Sequence, residues 1–201
     1  MKRITVFDFD GTLTLKDSMM SIILFQRGWI GLAWALLCEI HLIVLMILRL
    51  YSNQKAKERL LSHCFGGMKE SDFDAFCQKF ASSHKEIMNP KMTEKLREAQ
   101  QKSDYVYVIT ASPDKWVSLF VPGVTVLGSK LEVIDGKITG RLLSKNCYGQ
   151  EKVNRLLSAL PDIKNHRSDY HITAYGDSRG DKEMLAFADE GINVKSEGVK
   201  R

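Results

Sequence analysis

Beyond residue 90 the chain alternates short apolar β-runs with amphipathic helices, and few folds accept that order. YVYVITAS (105–112), VTVLGS (124–129), DYHITAYGDS (169–178) and GINV (191–194) read as strands. KMTEKLREAQQK (91–102), SPDKWVSLF (112–120), YGQEKVNRLLSAL (148–160) and DKEMLAFAD (181–189) carry apolar residues at helical spacing between them. Parallel strands need long crossovers, usually helices, so the pattern predicts an α/β fold with a doubly wound parallel sheet. The run RITVFDF (3–9) adds an opening strand. Residues 18–88 read as helical throughout and therefore as an insertion after it. Within that block SNQKAKERLLSHC (52–64) and SDFDAFCQKFASSH (71–84) each begin with a serine suited to an N-cap, and Pro90 ends the block. SPDKWVSLF likewise reads as a capped start with Pro113 near the first helical position. LEVIDGKITG (131–140) reads as a hairpin turning on Asp135-Gly136. The expected division is a core formed by 1–15 and 90–201, with a small hairpin at about 130–140, and a helical cap over 16–89.

The segment VFDFDGTLT (6–14) places two carboxylates at the end of the first strand and a glycine after them. Strand alternation predicts that Asp8 and Asp10 project to one side, and Gly11 permits a turn that a bulkier residue would resist. Two acids so placed repel each other. A cation between them, or a division of labour into base and acid, relieves that cost. In doubly wound sheets ligands bind beyond the carboxyl ends of the strands. Three strands carry polar residues there: Asp8 and Asp10, Thr110 and Ser112, and Asp177 and Asp181. A set of carboxylates converging from separate strands points to a metal-assisted reaction rather than to three solvated turns.

Composition narrows the classes. Lys and Arg number 29 against 24 Asp and Glu, a net charge of +5, which suits an anionic ligand or membrane surface. With no basic stretch interleaved with aromatics, nucleic acid is not an expected partner. Cys38, Cys64, Cys77 and Cys147 show no CxxC spacing, which suggests reduced, mostly buried thiols of a cytoplasmic protein, and zinc ligation is not expected. The first strand starts almost at once, so no signal peptide is expected.

The apolar run at 30–50 is about as long as a membrane span. Glu39 and His41 sit near its middle, where a charged side chain costs about 2.5–3.5 kcal/mol on insertion scales. A single crossing would also place Asp8 and the later motifs on opposite sides of a bilayer. The expectation is a buried cap helix, with peripheral membrane contact as the alternative, favoured by flanking Arg27, Arg49, Lys55, Lys57 and Arg59.

Four motifs, FDFDGTLT (7–14), VITAS (108–112), GQEKV (149–153) and YGDSRGD (175–181), together resemble the haloacid dehalogenase superfamily of aspartate-nucleophile phosphatases. The helical insertion and the DGKITG hairpin are most similar to its phosphoserine phosphatase branch. The resemblance implies a Rossmann-like core and a Mg²⁺-dependent phosphomonoesterase acting through an aspartyl-phosphate. It implies Asp8 as nucleophile and Asp10 as general acid and base. Mg²⁺ would be held by Asp8, Asp177 and the Asp10 backbone carbonyl. Thr110 and Lys152 would stabilise the transferring phosphoryl, with Asp181 and Gly11 in support. Substrate contacts would come from Thr110, Ala111, Ser112, Lys152 and Asp17. Asp17 stands where phosphoserine phosphatases use a glutamate, Arg59 is a loose candidate for their arginine, and Gly180 replaces their asparagine. The expected partner is a small phosphorylated metabolite. A second likeness, to the phosphatidylglycerophosphatase C family, implies a lipid phosphate instead and membrane association. An alternative of another class is a protein that binds phosphorylated ligands without turnover.

Overall fold

The computed structural model describes residues 1–38 and 52–197. Strands β1 (Lys2–Phe7), β2 (Tyr105–Pro113), β3 (Thr125–Ser129), β6 (Tyr170–Gly176) and β7 (Glu190–Asn193) form one parallel sheet in the order β3-β2-β1-β6-β7. A two-stranded antiparallel sheet, β4 (Leu131–Ile134) with β5 (Lys137–Leu142), stands apart from it. The strands leave β1 in opposite directions, β2 and β3 on one side, β6 and β7 on the other. A crevice at the carboxyl edge beside β1 follows from that switch. Phe7 pairs with Val108 on one neighbour and with Tyr175 on the other. The register therefore brings the residues after each strand together at one edge.

The alternation of β1 feeds two hydrophobic clusters. Ile4 and Val6 point to one face, with Tyr107, Ile109, Ile172 and Ala174, where Val153, Leu156 and Met184 cover them. Those three come from helices α6 (Gln150–Ala159) and α7 (Lys182–Phe187). Phe7 and Val108 point to the other face and join Trp116 of α5 (Asp114–Phe120) and Leu96 of α4 (Pro90–Lys102). The same cluster continues into the helices inserted after β1: α1 (Ser18–Cys38), α2 (Asn53–Phe65) and α3 (Glu70–Ser83), through Ile22, Leu61, Phe73 and Phe80. Helix α8 (Val194–Glu197) follows β7. Helix α2 lies on the β4–β5 hairpin, with the Ser62 hydroxyl donating to Thr139 O at 2.9 Å. Gly140 lets the backbones meet there, because a Cβ on it would lie 2.2 Å from Ser62 N.

The hairpin turns on Asp135 and Gly136, both at positive φ, as a two-residue turn of the mirror-image type requires. Ser52 caps α2 as expected, accepting from Lys55 N at 3.4 Å. Ser71 does not cap α3: the helix begins one residue earlier, after Lys69, and has no side-chain cap. Pro90 opens α4 as well as ending the preceding block, with Asn89 as the cap, because the missing N–H costs nothing in a first turn. Ser112 stays in β2 and Pro113 precedes α5 without a side-chain cap, since the serine hydroxyl is used elsewhere.

Helix α1 breaks at Gly28, whose φ of +66° lies in the left-handed region. Beyond the break Trp29, Ile30, Trp34 and Leu37 are all exposed, between 59% and 88%. The expected buried apolar helix is therefore not seen over 30–38. Residues 39–51, with Glu39, His41 and Arg49, lie outside the described residues. Among the described residues no helix is long and apolar enough to cross a membrane. Cys64, Cys77 and Cys147 are buried free thiols, and Cys38 is exposed.

Candidate active site

Asp8 and Asp10 both line one cavity of about 230 Å³. β1 ends at Phe7, before either acid, and the chain coils tightly over Phe9–Leu13. Asp8 and Asp10 both keep extended backbone, with Phe7 and Phe9 buried together in one cluster, so the two acids share a side and the turn follows them at Gly11, where φ reaches +81°. Gly11 has a second reason to lack a side chain: a Cβ would fall 2.5 Å from Asp177 Oδ2 and 3.0 Å from Oδ1.

Lys152, in the first turn of α6, is 3% exposed and donates at 2.5 Å to both Asp8 Oδ1 and Asp181 Oδ1. A buried ammonium is costly unless paired, and here two carboxylates share it. Burial works against its charge, but Asp8 and Asp181 outweigh burial and hold the ammonium above the usual lysine range. Burial pushes Asp8 up to about 7 against the pull of Lys152, with the Asp181 charge adding to the rise. Asp181 itself is lowered: burial opposes its charge, yet Lys152 and the Ser178 donors prevail. Its Oδ2 accepts from Asp177 N at 3.2 Å, Ser178 N at 2.9 Å and the Ser178 hydroxyl at 2.7 Å. Asp181 is thus a bracket that ties the turn after β6 to Lys152, and it also forms a capping box with Ser178.

Asp10 is held by donors on both oxygens. Ser18 N donates to Oδ1 at 2.6 Å and the Ser112 hydroxyl to Oδ2 at 2.5 Å. The donor chain continues inward: the Ser18 hydroxyl donates to Ser112 Oγ at 3.3 Å, and Trp116 Nε1 donates to Ser18 Oγ at 3.1 Å. Burial, then the charge of Asp17, raise the Asp10 carboxyl above the usual range, while the serine donors pull it down. Ser18 lies only eight residues from Asp10 but belongs to no motif that singles it out, and Trp116 had no mark in the sequence because its link to Ser18 spans 98 residues of chain.

Thr110 is 1% exposed at the cavity wall, and its hydroxyl oxygen accepts from Ser112 N at 3.0 Å, which leaves its own proton to donate. Ala111, Ser112 and Asp17 line the same cavity. Arg59 is exposed and does not line it. The α2 lysine that does is Lys57, whose Nζ donates to Ala111 O at 3.0 Å and Asn146 Oδ1 at 3.3 Å. Burial lowers its pKa, opposed by the Asp10 and Asp17 carboxylates. Lys57 therefore faces the reaction space and is removed from the set of basic residues expected to meet a membrane. At Gly180 the Tyr148 ring occupies the space of a side chain, 2.6 Å from where a Cβ would lie. An aromatic wall thus stands beside Gly180, the position read as replacing the asparagine of phosphoserine phosphatases. A groove of about 460 Å³ lined by Met88, Leu96, Phe120 and others is larger but reaches none of the acids.

The donors suit a hard divalent cation. Asp8, Asp177 and Asp181 each offer an oxygen, all within 4.8 Å of one another. Asp177 Oδ1 is buried with no partner, which a cation would supply. Of the three, Asp181 has both oxygens committed to Lys152 and Ser178, so Asp8 and Asp177 are the carboxylates left to bind. An all-oxygen donor set of this size fits Mg²⁺.

A sequence model of the haloacid dehalogenase-like hydrolases matches residues 5–186. The chain is 34% identical over 198 residues to Protein CicA of Caulobacter vibrioides, covering 93% of this chain and 83% of that protein. Among solved structures, a protein of unknown function from Bordetella pertussis Tohama I superposes with a TM-score of 0.79 at 21% identity, over 92% of this chain and 86% of that one. A substrate-bound phosphoserine phosphatase superposes with a TM-score of 0.61 at 16% identity, over 94% and 83%. At these identities the two structural likenesses speak for the fold, while the family match and the curated relative speak for descent.

Proposed function

This chain belongs to the haloacid dehalogenase-like hydrolases, and we propose that it is a Mg²⁺-dependent phosphomonoester phosphatase working through an aspartyl-phosphate on Asp8. One observation carries the reading: Lys152 bridges Asp8 and Asp181 in a buried site where Asp177 Oδ1 is left bare. A binding module would need no such arrangement beside a second, separately held acid.

The Asp8 carboxylate attacks phosphorus, and the bond from phosphorus to the leaving oxygen breaks as Asp10 protonates that oxygen. Asp10, raised by burial and by Asp17, is suited to carry that proton. Ser112 and Ser18 hold the carboxyl in place during the transfer. Asp10 then takes a proton from water as the water attacks the phospho-enzyme and releases Asp8. Lys152 and the Thr110 hydroxyl stabilise phosphoryl oxygens, with Asp181 fixing Lys152. Asp8, Asp177 and the Asp10 carbonyl would hold Mg²⁺, which when bound supplies positive charge against the phosphoryl oxygens.

The favoured substrate is a small phosphorylated metabolite of phosphoserine-like type, with Asp17 and Lys57 positioned to read its remaining groups. A second reading, a lipid phosphate approached at a membrane surface, is favoured by the exposed Trp29, Ile30, Trp34 and Leu37 beyond Gly28. A phosphate-release screen over phosphorylated metabolites and lipid phosphates, with Mg²⁺ and with or without detergent, tests both. Release that persists in Asp8→Asn contradicts the mechanism. Release only from micellar or vesicular lipid phosphates replaces the first substrate class with the second.

A further inference from the structure

A fourth strand delivers a charged group to the same edge of the sheet. β7 runs parallel to β6 with Asn193 opposite Gly176, so the residues just past β7 come alongside Asp177. Lys195 is two residues past β7. Its backbone N–H donates to Asn193 Oδ1 at 3.1 Å, and its Nζ reaches Asp177 Oδ2 at 2.5 Å. The lysine side chain is 69% exposed while that of Asp177 is 6% exposed. The contact therefore reaches from solvent onto a carboxylate fixed in the protein. The Asp10–Gly11 turn presses against the same carboxylate, where a Cβ on Gly11 would lie 2.5 Å from Oδ2. Oδ2 is thus occupied by Lys195 and Oδ1 stays buried without a partner, in a carboxylate that offers one oxygen within 4.8 Å of those of Asp8 and Asp181.

We infer that Lys195 is a positioning residue for the metal site: by holding Asp177 Oδ2 it presents Oδ1 to the divalent cation. The inference rests on the reading of Asp177 as a metal ligand. Carboxylate ligands in metal sites are commonly oriented by hydrogen bonds from outside the coordination shell, and loss of such a partner typically costs about 10–100-fold in metal affinity or activity. The rival account makes Lys195 a plain counter-charge. A nearby ammonium repels an incoming cation, so on that account its removal strengthens metal binding.

Calorimetric titration of the metal-free protein with Mg²⁺ decides between them without reference to turnover. Lys195→Met weakens Mg²⁺ binding about ten-fold, and Lys195→Arg, which keeps a charged donor, recovers most of that loss. Unchanged or tighter binding in Lys195→Met overturns the inference. So does equal weakening in Lys195→Arg, which would mean the shape of the segment and not the donor matters. Asp177→Asn serves as the reference. If it binds Mg²⁺ like the parent protein, the metal reading and this inference fall together. If it loses binding while Lys195→Met does not, the Lys195 inference alone falls. Thermal unfolding of each metal-free variant separates these results from misfolding.

Discussion

Replacing Lys152 by methionine should damage stability and turnover together, and the structure sets the scale of both. The ammonium is shared by two carboxylates at 2.5 Å, in side chains that are 3%, 7% and 0% exposed. Methionine fills a similar volume but leaves Asp8 and Asp181 facing each other without a counter-charge. Removing one partner of a buried pair costs about 3–5 kcal/mol, because the remaining charge stays desolvated. At about 2–4 °C per kcal/mol for a chain of this size, that is a fall of roughly 6–20 °C in Tm. Catalysis loses a preorganised charge as well, typically about 10²–10³-fold in kcat. Mg²⁺ should restore part of the lost Tm, since a cation at Asp8 replaces one of the two missing attractions. Differential scanning calorimetry with and without Mg²⁺, beside phosphate release, measures all three quantities. A Tm within 2 °C of the parent, or turnover within about threefold, would refute the assignment and leave Lys152 an ordinary helix lysine.

Asp10→Asn should slow turnover by about 10²–10⁴-fold while Mg²⁺ affinity holds, because the metal would use only that residue's backbone carbonyl; matching losses in both would contradict the division of roles. Gly11→Ala should cost about 1–2 kcal/mol for its left-handed backbone and also weaken Mg²⁺ binding, since its Cβ must push the Asp177 carboxylate away; a Mg²⁺ titration at unchanged affinity would count against that packing. In the metal-free protein Asp8 titrates near 7, and Mg²⁺ takes the ionised carboxylate. Protons therefore compete with the metal below that pH, and affinity should fall about tenfold per pH unit there; calorimetry giving the same affinity at pH 6 and pH 8 would refute the sign.

The order of strands and helices was legible because each element is specified locally. Asp135-Gly136 adopts the positive φ angles that such a pair favours, and Ser52 caps the helix it precedes. The acids were legible because strand ends meet at one edge of a parallel sheet. The contacts between distant segments were not. Ser112 spends its hydroxyl on Asp10 instead of on α5. Lys57 looked like one of several surface cations, because nothing in a helical repeat tells which lysine faces the core once the neighbouring strand is unknown. Lys195 could have been found by the rule applied to the other strands, since it is the first charged residue beyond β7.

The central claim is that phosphoryl passes through Asp8, and a rapid acid quench during turnover tests it most directly. Peptide mass spectrometry of the quenched protein should find one phosphoryl group on the peptide carrying Asp8, lost on treatment with hydroxylamine and absent from Asp8→Asn. Phosphoryl on another residue, or continued turnover by Asp8→Asn with no covalent adduct, would contradict the account.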